Sequence, residues 1–185
     1  LAAAACLALN AHAGPDYPLR PVRMIVLFPP GGSDTVARML GQKLAERLGQ
    51  SFVIDNRPGA AGVIGADIVA KSPADGYTLL FATASFAIGA GFDRKLPYEP
   101  IGDFSAIGFV ASVPFVLLTH PSVAVNSVPE LLALAKAKPD QLNASSAGTG
   151  GAGHLATEVF KSMSGARITH IPYKGTGPAL TALLA

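Results

Sequence analysis

The sequence has a single cysteine, no tryptophan and few charges, which account for only 14% of its 185 residues. The net charge of +2, with no run of lysine or arginine, excludes the basic footprint of a nucleic-acid-binding protein. No two of the four histidines have helical metal-ligand spacing, so we expect no metal site. Apolar residues, by contrast, make up 50% of the chain, and 20 glycines and 15 prolines punctuate it, which indicates a globular, turn-rich protein.

Residues 1–13 are apolar and uncharged, and they close on Ala11-His12-Ala13. Such a segment matches the end of a secretory signal peptide, and it is shorter than the about 20 residues that cross a bilayer. We therefore expect cleavage after Ala13 and a periplasmic location. Cleavage would remove Cys6 and leave no thiol to misoxidise in an oxidising compartment. An alanine-rich helix of the fold and a lipoprotein anchor at Cys6 are the alternatives.

Strand and helix signals alternate through the rest of the chain. Near-continuous apolar runs predict buried strands, and apolar stripes with cap or stop residues predict helices between them. The predicted strands are residues 22–28, 52–56, 77–83, 142–146 and 168–171, with two more within 107–119. The predicted helices are residues 34–48, 62–71, 128–138, 155–163 and 175–185. This alternation predicts an α/β fold with a mainly parallel sheet.

The chain is expected to contain more than one lobe. A polar, proline-bearing stretch at residues 120–127 marks a place where the chain could cross between lobes. The last predicted helix has no stop signal or polar tail, so we expect the chain to be a fragment. The predicted organisation is a signal-peptide remnant at 1–13, a first lobe at 14–119 and a partial second lobe at 120–185.

The loop after the first predicted strand is a candidate anion site. Gly31 and Gly32 let the backbone approach a ligand, and the following helix start presents free amides and the positive end of its dipole. Capping of that helix by Ser33 or Asp34 explains the same residues equally well. The loop lacks the Gly-Lys-Ser/Thr ending of a nucleotide P-loop, so we expect no nucleoside triphosphate.

Hydroxyls and glycines follow two further predicted strands. Thr83 and Ser85 end the third strand, where ligands of open α/β sheets bind, although capping of the next segment would explain them too. Residues 145–154 contain a G-x-G-x-x-G motif that begins at Gly148 and formally satisfies the dinucleotide fingerprint. The acidic residue expected about 20 positions later is missing, since Glu158 is the last acidic residue. We expect instead a cradle of hydroxyls and amides for a carboxylate.

A hydrolase or transferase in the same cleft is the alternative from another class. It would use Ser85 and His154, but the sequence has no G-x-S-x-G elbow and assembles no triad. His154, at the start of a helix, is better explained as a residue that lines the cleft. We therefore expect no catalytic residues. Turnover that is abolished by Ser85→Ala or His154→Ala would overturn this expectation.

Four long motifs follow one another along the chain. They are FPPGGSDTVAR from Phe28, NRPGAAGVIGADIVAKSPADGYTLL from Asn56, LPYEP from Leu96 and IPYKGTGPAL from Ile171. Together they resemble the Bug/TctC family, the periplasmic receptors of tripartite tricarboxylate transporters. The resemblance begins near Tyr17 and continues to the last residue.

The resemblance implies a periplasmic-binding-protein-like fold, in which two lobes with mainly parallel sheets close on a ligand, the second lobe here being incomplete. It implies a monomeric receptor for a di- or tricarboxylate, an acidic amino acid or an aromatic acid. Such a receptor needs no cofactor and presents its ligand to a membrane permease or a sensor protein. The implied ligand contacts are Pro30, Gly31, Gly32, Ser33, Thr83 and Ser85 on the first lobe, and Ser146, Gly148, Thr149, His154, Tyr173 and Lys174 on the second.

One segment departs from the family pattern. Relatives usually carry an Asn-Pro pair before the Leu-Pro-Tyr motif, and residues 87–93 contain neither residue. Asp93 would disfavour an anionic ligand if it faced the cleft, so the departure bears on the identity of the ligand. The remaining polar residues of the motifs are interpreted as scaffold: Asp55, Asn56, Arg57, Asp75 and Tyr77.

Overall fold

The computed structural model describes residues 17–91 and 95–185. The expected signal segment, with Cys6 and His12, lies outside the described residues, and so does Asp93. Within the described part of the chain, no helix is long and apolar enough to cross a membrane.

Parallel strands form two separate sheets, each flanked by helices, which confirms the predicted α/β class. The first sheet has the order β2-β1-β3, with β1 (Val22–Val26), β2 (Phe52–Asn56) and β3 (Thr78–Phe81). The second sheet pairs β4 (Leu142–Ser146) with β5 (Ile168–Pro172). The helices are α1 (Gly32–Leu48), α2 (Val63–Ala70), α3 (Ala84–Gly91), α4 (Val128–Ala137), α5 (Ala152–Ser164) and α6 (Thr176–Leu184), with a 3-10 turn at Ala60–Gly62.

β1 is the central strand of the first sheet and carries its core. Met24 and Val26 pack with Ala37 of α1, whereas Leu27, just beyond the strand, packs with Ala66 of α2. A strand between two helical layers needs apolar side chains in both directions, which explains the near-continuous apolar run in the sequence. The packing fixes the end of β1, from which the first candidate loop departs.

The second sheet has a thinner core. Its buried cluster consists of Ala135 of α4, Ala166 and Ile168, so small side chains predominate. The largest fully buried side chains of the described residues all belong to β1 or the residue after it: Ile25, Leu27, Val22 and Val26.

Two predictions about secondary structure are wrong. The two strands predicted within 107–119 are absent: this stretch has no regular structure, and Ile107 and Phe109 are more than 80% exposed. A strand requires a neighbour for its backbone hydrogen bonds, and no described strand runs beside this stretch. Conversely, α3 forms where neither a strand nor a helix was predicted. It contains Ser85, which was expected to end the third strand, and both Ser85 and Gly89 of this helix are buried.

The start of α1 bears on the alternative explanation of the first candidate loop. Gly31 is the N-cap residue and no side chain caps the helix, so the capping by Ser33 or Asp34 that would also explain these residues is absent. Asp34 is buried and accepts a hydrogen bond from Arg38 Nε at 2.9 Å, one helical turn later. This ion pair neutralises the acidic residue that lies closest to the candidate loop in sequence.

Candidate functional site

A cavity of about 480 Å³ lies between the two sheets. Its volume is within the range of about 300–1,000 Å³ that is typical of small-molecule sites. Each loop that lines it directly follows β1, β2, β4 or β5, and ligands of open α/β sheets bind beyond these carboxyl ends. The lining residues form a first wall, Phe28, Pro29 and Pro58–Gly62, and a second wall, Ala147–Thr149 and Tyr173–Gly175.

The first wall has a strained backbone. Ala60 and Ala61 have φ values of 47° and 56°, in the left-handed region that L-residues avoid at a cost of about 1–2 kcal/mol each. Gly59 and Gly62, on either side, also have positive φ. Strain of this kind persists only where the surroundings impose it, and it is concentrated at ligand sites. This loop was not among the predicted site residues, although its run of small residues between two glycines was the available signal.

Hydrogen bonds to β1 and its extension hold the first wall in place. The Arg57 amide donates to Val26 O at 2.8 Å, and the Asn56 side-chain amide donates to Phe28 O at 2.9 Å. Burial alone would raise the pKa of Asp55, but hydrogen bonds from Arg23 and Arg57 keep it below its ordinary value. The motif interpreted as scaffold therefore anchors the loop that follows it.

Asp34 lies near the first wall without lining the cavity. The hydrogen bond from Arg38 lowers the pKa of Asp34 despite the opposing effect of burial, and Asn56 adds to the lowering. The carboxylate is therefore ionised at neutral pH, and its charge is compensated by Arg38.

The second wall continues the pairing of β4 and β5 beyond their ends. The Tyr173 amide donates to Ser146 O at 2.9 Å, and the Gly175 amide donates to Ala147 O at 3.1 Å. Lys174 lies between these two bonds and is the one charged side chain among the described lining residues. Gly175 is the N-cap of α6, and Gly62 of the first wall is the N-cap of α2. The starts of two helices and a lysine thus make this cavity suited to an anion.

Two imidazoles lie behind the second wall. His170 Nε2 is 2.7 Å from the buried Ser146 Oγ, and the His154 ring stacks on the His170 ring with centroids 4.0 Å apart. His154 Nδ1 accepts a hydrogen bond from the Gly150 amide at 3.1 Å. Burial, and then the charge of His154, lower the pKa of His170. His170 was not among the predicted site residues, because only the pairing of β4 with β5 brings it near Ser146.

Ser85 connects α3 to the second half of the structure. Its hydroxyl accepts a hydrogen bond from the Ala152 amide at 3.0 Å, at the start of α5. Thr83 Oγ1 is buried and has no hydrogen-bond partner among the residues that the structure describes. In the same residues, no hydrogen bond joins Ser85 to His154, and no cluster of histidine, cysteine, aspartate or glutamate could hold a metal ion.

The predicted ligand contacts divide into two groups. Those that line the cavity are Gly148, Thr149, Tyr173 and Lys174. Those that lie outside its lining are Pro30, Gly31, Gly32, Ser33, Thr83, Ser85, Ser146 and His154. The direct contact of each residue with a ligand stays a prediction.

Comparison with known proteins gives a consistent result. Residues 36–185 match the family model described as tripartite tricarboxylate transporter family receptor, TctC. Protein BugT of Bordetella pertussis (strain Tohama I) is 46% identical over 171 residues, which cover 91% of this chain and 52% of that protein. The chain therefore spans about half the length of this curated relative.

Solved structures agree with the family model. The structure of Rpa4515 from R. palustris with adipate superimposes with a TM-score of 0.87 at 43% identity, and the match covers 91% of this chain and 57% of that one. The periplasmic binding protein BugD gives a TM-score of 0.84 at 37% identity, covering 90% and 56% of the two chains. The family model and these structural matches show that the chain belongs to the TctC family of tripartite tricarboxylate transporter receptors.

Proposed function

We propose that this chain is the part of an extracytoplasmic receptor that captures a small carboxylate in the cavity between the two sheets. The observation that carries the proposal is the cavity itself, whose described lining has Lys174 as its one charge and no carboxylate. Backbone amides and the starts of α2 and α6 supply the remaining positive potential. The candidate ligands are a di- or tricarboxylate, an acidic amino acid or an aromatic acid.

Adipate is the first ligand to test, because it is present in the structure of Rpa4515. One carboxylate of a linear diacid would contact the amides of the two walls, and the other would approach Lys174. The serine and histidine of the hydrolase alternative are not paired with each other, because Ser85 and His154 each accept a hydrogen bond from a backbone amide. We therefore propose capture without turnover.

The proposed cycle is closure and delivery. Residues 14–119 and 120–185 act as two lobes that close on the ligand, and a membrane permease of the tripartite type or a sensor protein recognises the closed, monomeric form. A periplasmic location follows from the expected cleavage after Ala13. N-terminal sequencing of the protein from periplasmic extract should then begin at Gly14, and a retained leader in the cytoplasm would contradict this part of the proposal.

The central experiment is a thermal-shift screen of the mature protein with its natural ends. Adipate, malate, citrate, succinate, aspartate, glutamate and terephthalate form the panel, and adipamide is the uncharged control for adipate. A ligand at a hundredfold over its Kd adds about 2.7 kcal/mol to native stability, which raises Tm by about 2–4 °C per kcal/mol. A shift with one acid, without any product by NMR, supports the proposal. Equal shifts with adipate and adipamide, or conversion of the acid, would overturn it.

A further inference from the structure

We propose that His154 and His170 are positioning residues for the Gly148–Gly151 loop, and that the loop takes its binding geometry only while His154 is uncharged. The inference deepens the proposed function and rests on it, because Gly148 and Thr149 of this loop line the cavity. Neither imidazole lines the cavity itself, so the pair acts through the loop.

The loop needs external support, since little within it fixes its path. Gly148 and Gly150 have φ values of 143° and 78°, conformations that glycine adopts freely. The bond within the loop, from the Gly151 amide to Gly148 O, is long at 3.4 Å. The support comes from the Gly150 amide on His154 Nδ1, at 3.1 Å, and the Gly148 amide on Ser146 Oγ, at 3.3 Å.

The bond from Gly150 requires a neutral ring. A nitrogen that accepts a hydrogen bond carries no proton, so the His154 proton is on Nε2, which lies 3.8 Å from Glu158 Oε1. Protonation of His154 would turn Nδ1 into a donor that faces the N–H of Gly150. The loop would then lose its support on that side, and two donors would be forced together.

His170 supports the other end of the loop, at Gly148, through the side chain of Ser146. Its Nε2 holds Ser146 Oγ at 2.7 Å, and Ser146 in turn bonds the amide of Gly148. Because the two rings stack at 4.0 Å, a proton on one opposes a proton on the other. The charged groups that face the pair are Glu158 and Lys161 of α5, which form an ion pair with each other at 2.8 Å.

Three variants distinguish a positioning role of His154 and His170 from a general loss of structure. His154→Asn places an amide oxygen near the position of Nδ1 and cannot titrate, whereas His154→Leu keeps the bulk without an acceptor. His170→Gln places an amide group near the position of Nε2. We expect protonation of His154 in wild type to lower adipate affinity by about tenfold, the effect of one lost hydrogen bond of about 1.4 kcal/mol, and binding is measured from pH 8 downwards.

The expected pattern is specific to the inference. His154→Asn should bind adipate at pH 8 with the affinity of wild type. Its affinity should depend less on pH than that of wild type, because asparagine does not titrate. The pH dependence that comes from titration of adipate itself should remain in both proteins. His154→Leu should bind about tenfold more weakly already at pH 8. A His154→Asn profile as steep as that of wild type, or wild-type affinity in His154→Leu, would overturn the inference. His170→Gln should retain most of the affinity at pH 8.

A measurement without ligand distinguishes this inference from the proposed function. Amide hydrogen exchange of Gly150 in the ligand-free protein should be protected in wild type and His154→Asn, and fast in His154→Leu. Protection in this pattern without adipate binding would overturn the proposed ligand and keep the positioning role. Equal exchange rates in all three proteins would overturn the positioning role whatever the ligand.

Discussion

The two walls of the cavity are held by different physical means. The first wall follows the strands of a sheet whose central strand is largely buried, and Asn56 and Arg57, which precede the strained residues Ala60 and Ala61, bond to β1 and its extension. The second wall follows a two-stranded sheet with a thin core of small side chains, and titratable imidazoles support it from behind. The first wall is thus held by bonds to the central strand, whereas the second depends on hydrogen bonds to the side chains behind it.

We expect the two walls to have different roles in ligand binding. A rigid wall preorganises its backbone groups for a ligand, which lowers the entropic cost of binding. A wall held by a few hydrogen bonds to side chains opens at a lower free energy than a rigid one, as binding elements that move must. We expect the second wall to be the part that adjusts when a ligand enters, and the following predictions test this contrast.

The largest expected effect concerns the two cores. Ile25 is fully buried in the first sheet, whereas Ile168 of the second sheet is 8% exposed. We expect Ile25→Ala to lower the free energy of unfolding by about 4 kcal/mol and Ile168→Ala by about 2 kcal/mol, because the cost of a cavity grows with its volume. Urea denaturation measures both. Equal losses would remove the basis for contrasting the two sheets.

The next effect concerns the hydrogen bond between the halves. Ser85→Ala leaves the Ala152 amide without its acceptor and should lower the free energy of unfolding by about 1–2 kcal/mol. Ser162→Ala, at an exposed serine of α5, is the matched control and should stay within about 0.5 kcal/mol of wild type. If the two variants unfold alike, Ser85 does not join the halves in solution.

A smaller effect concerns the one charge of the second wall. Lys174→Gln should weaken adipate binding about fivefold, or about 1 kcal/mol, because an exposed ion pair contributes no more than this. The loss should shrink at high ionic strength. Lys138→Gln, at an exposed lysine outside the cavity lining, should bind as wild type does. A titration by calorimetry at two salt concentrations measures this, and a salt-independent loss would contradict it.

The smallest effect is on stability in mild acid. Burial, followed by the charge of His154, lowers the pKa of His170, so the unfolded chain takes up this proton more readily than the native state. Native stability should therefore decline as the pH falls below about 6.5 towards the lower native pKa. His170→Gln should flatten this part of the profile. An unchanged slope would show that other groups cause the decline.

The fold was largely predictable because its elements carry local signals. β2 and β4 were predicted with the bounds that the structure has, since strand and helix signals alternate along the chain and turn residues separate them. The stretch 107–119 carries an apolar signal and has no strand. An apolar run indicates a tendency towards strand, but the strand forms only where a neighbour accepts its hydrogen bonds.

The candidate site was predictable only where a motif marks it. The glycine- and hydroxyl-rich loop after β4 and the Tyr173-Lys174 pair line the cavity, as their positions after strands suggested. Pro58–Gly62 was missed because alanine and glycine have no functional side chains, and their contribution comes from backbone position. His170 was missed because its partners, Ser146 and His154, are distant in sequence.

By itself, the sequence determined the class of the protein: an α/β chain with the motifs of the TctC family, little charge and no metal-ligand pattern. The tertiary structure decided which loops share a cavity, which backbone is strained and which histidines stack. The physical reason is that helices, strands and turns follow from neighbouring residues along the chain. A binding cavity depends instead on how the ends of separate strands are brought together, and only packing settles that.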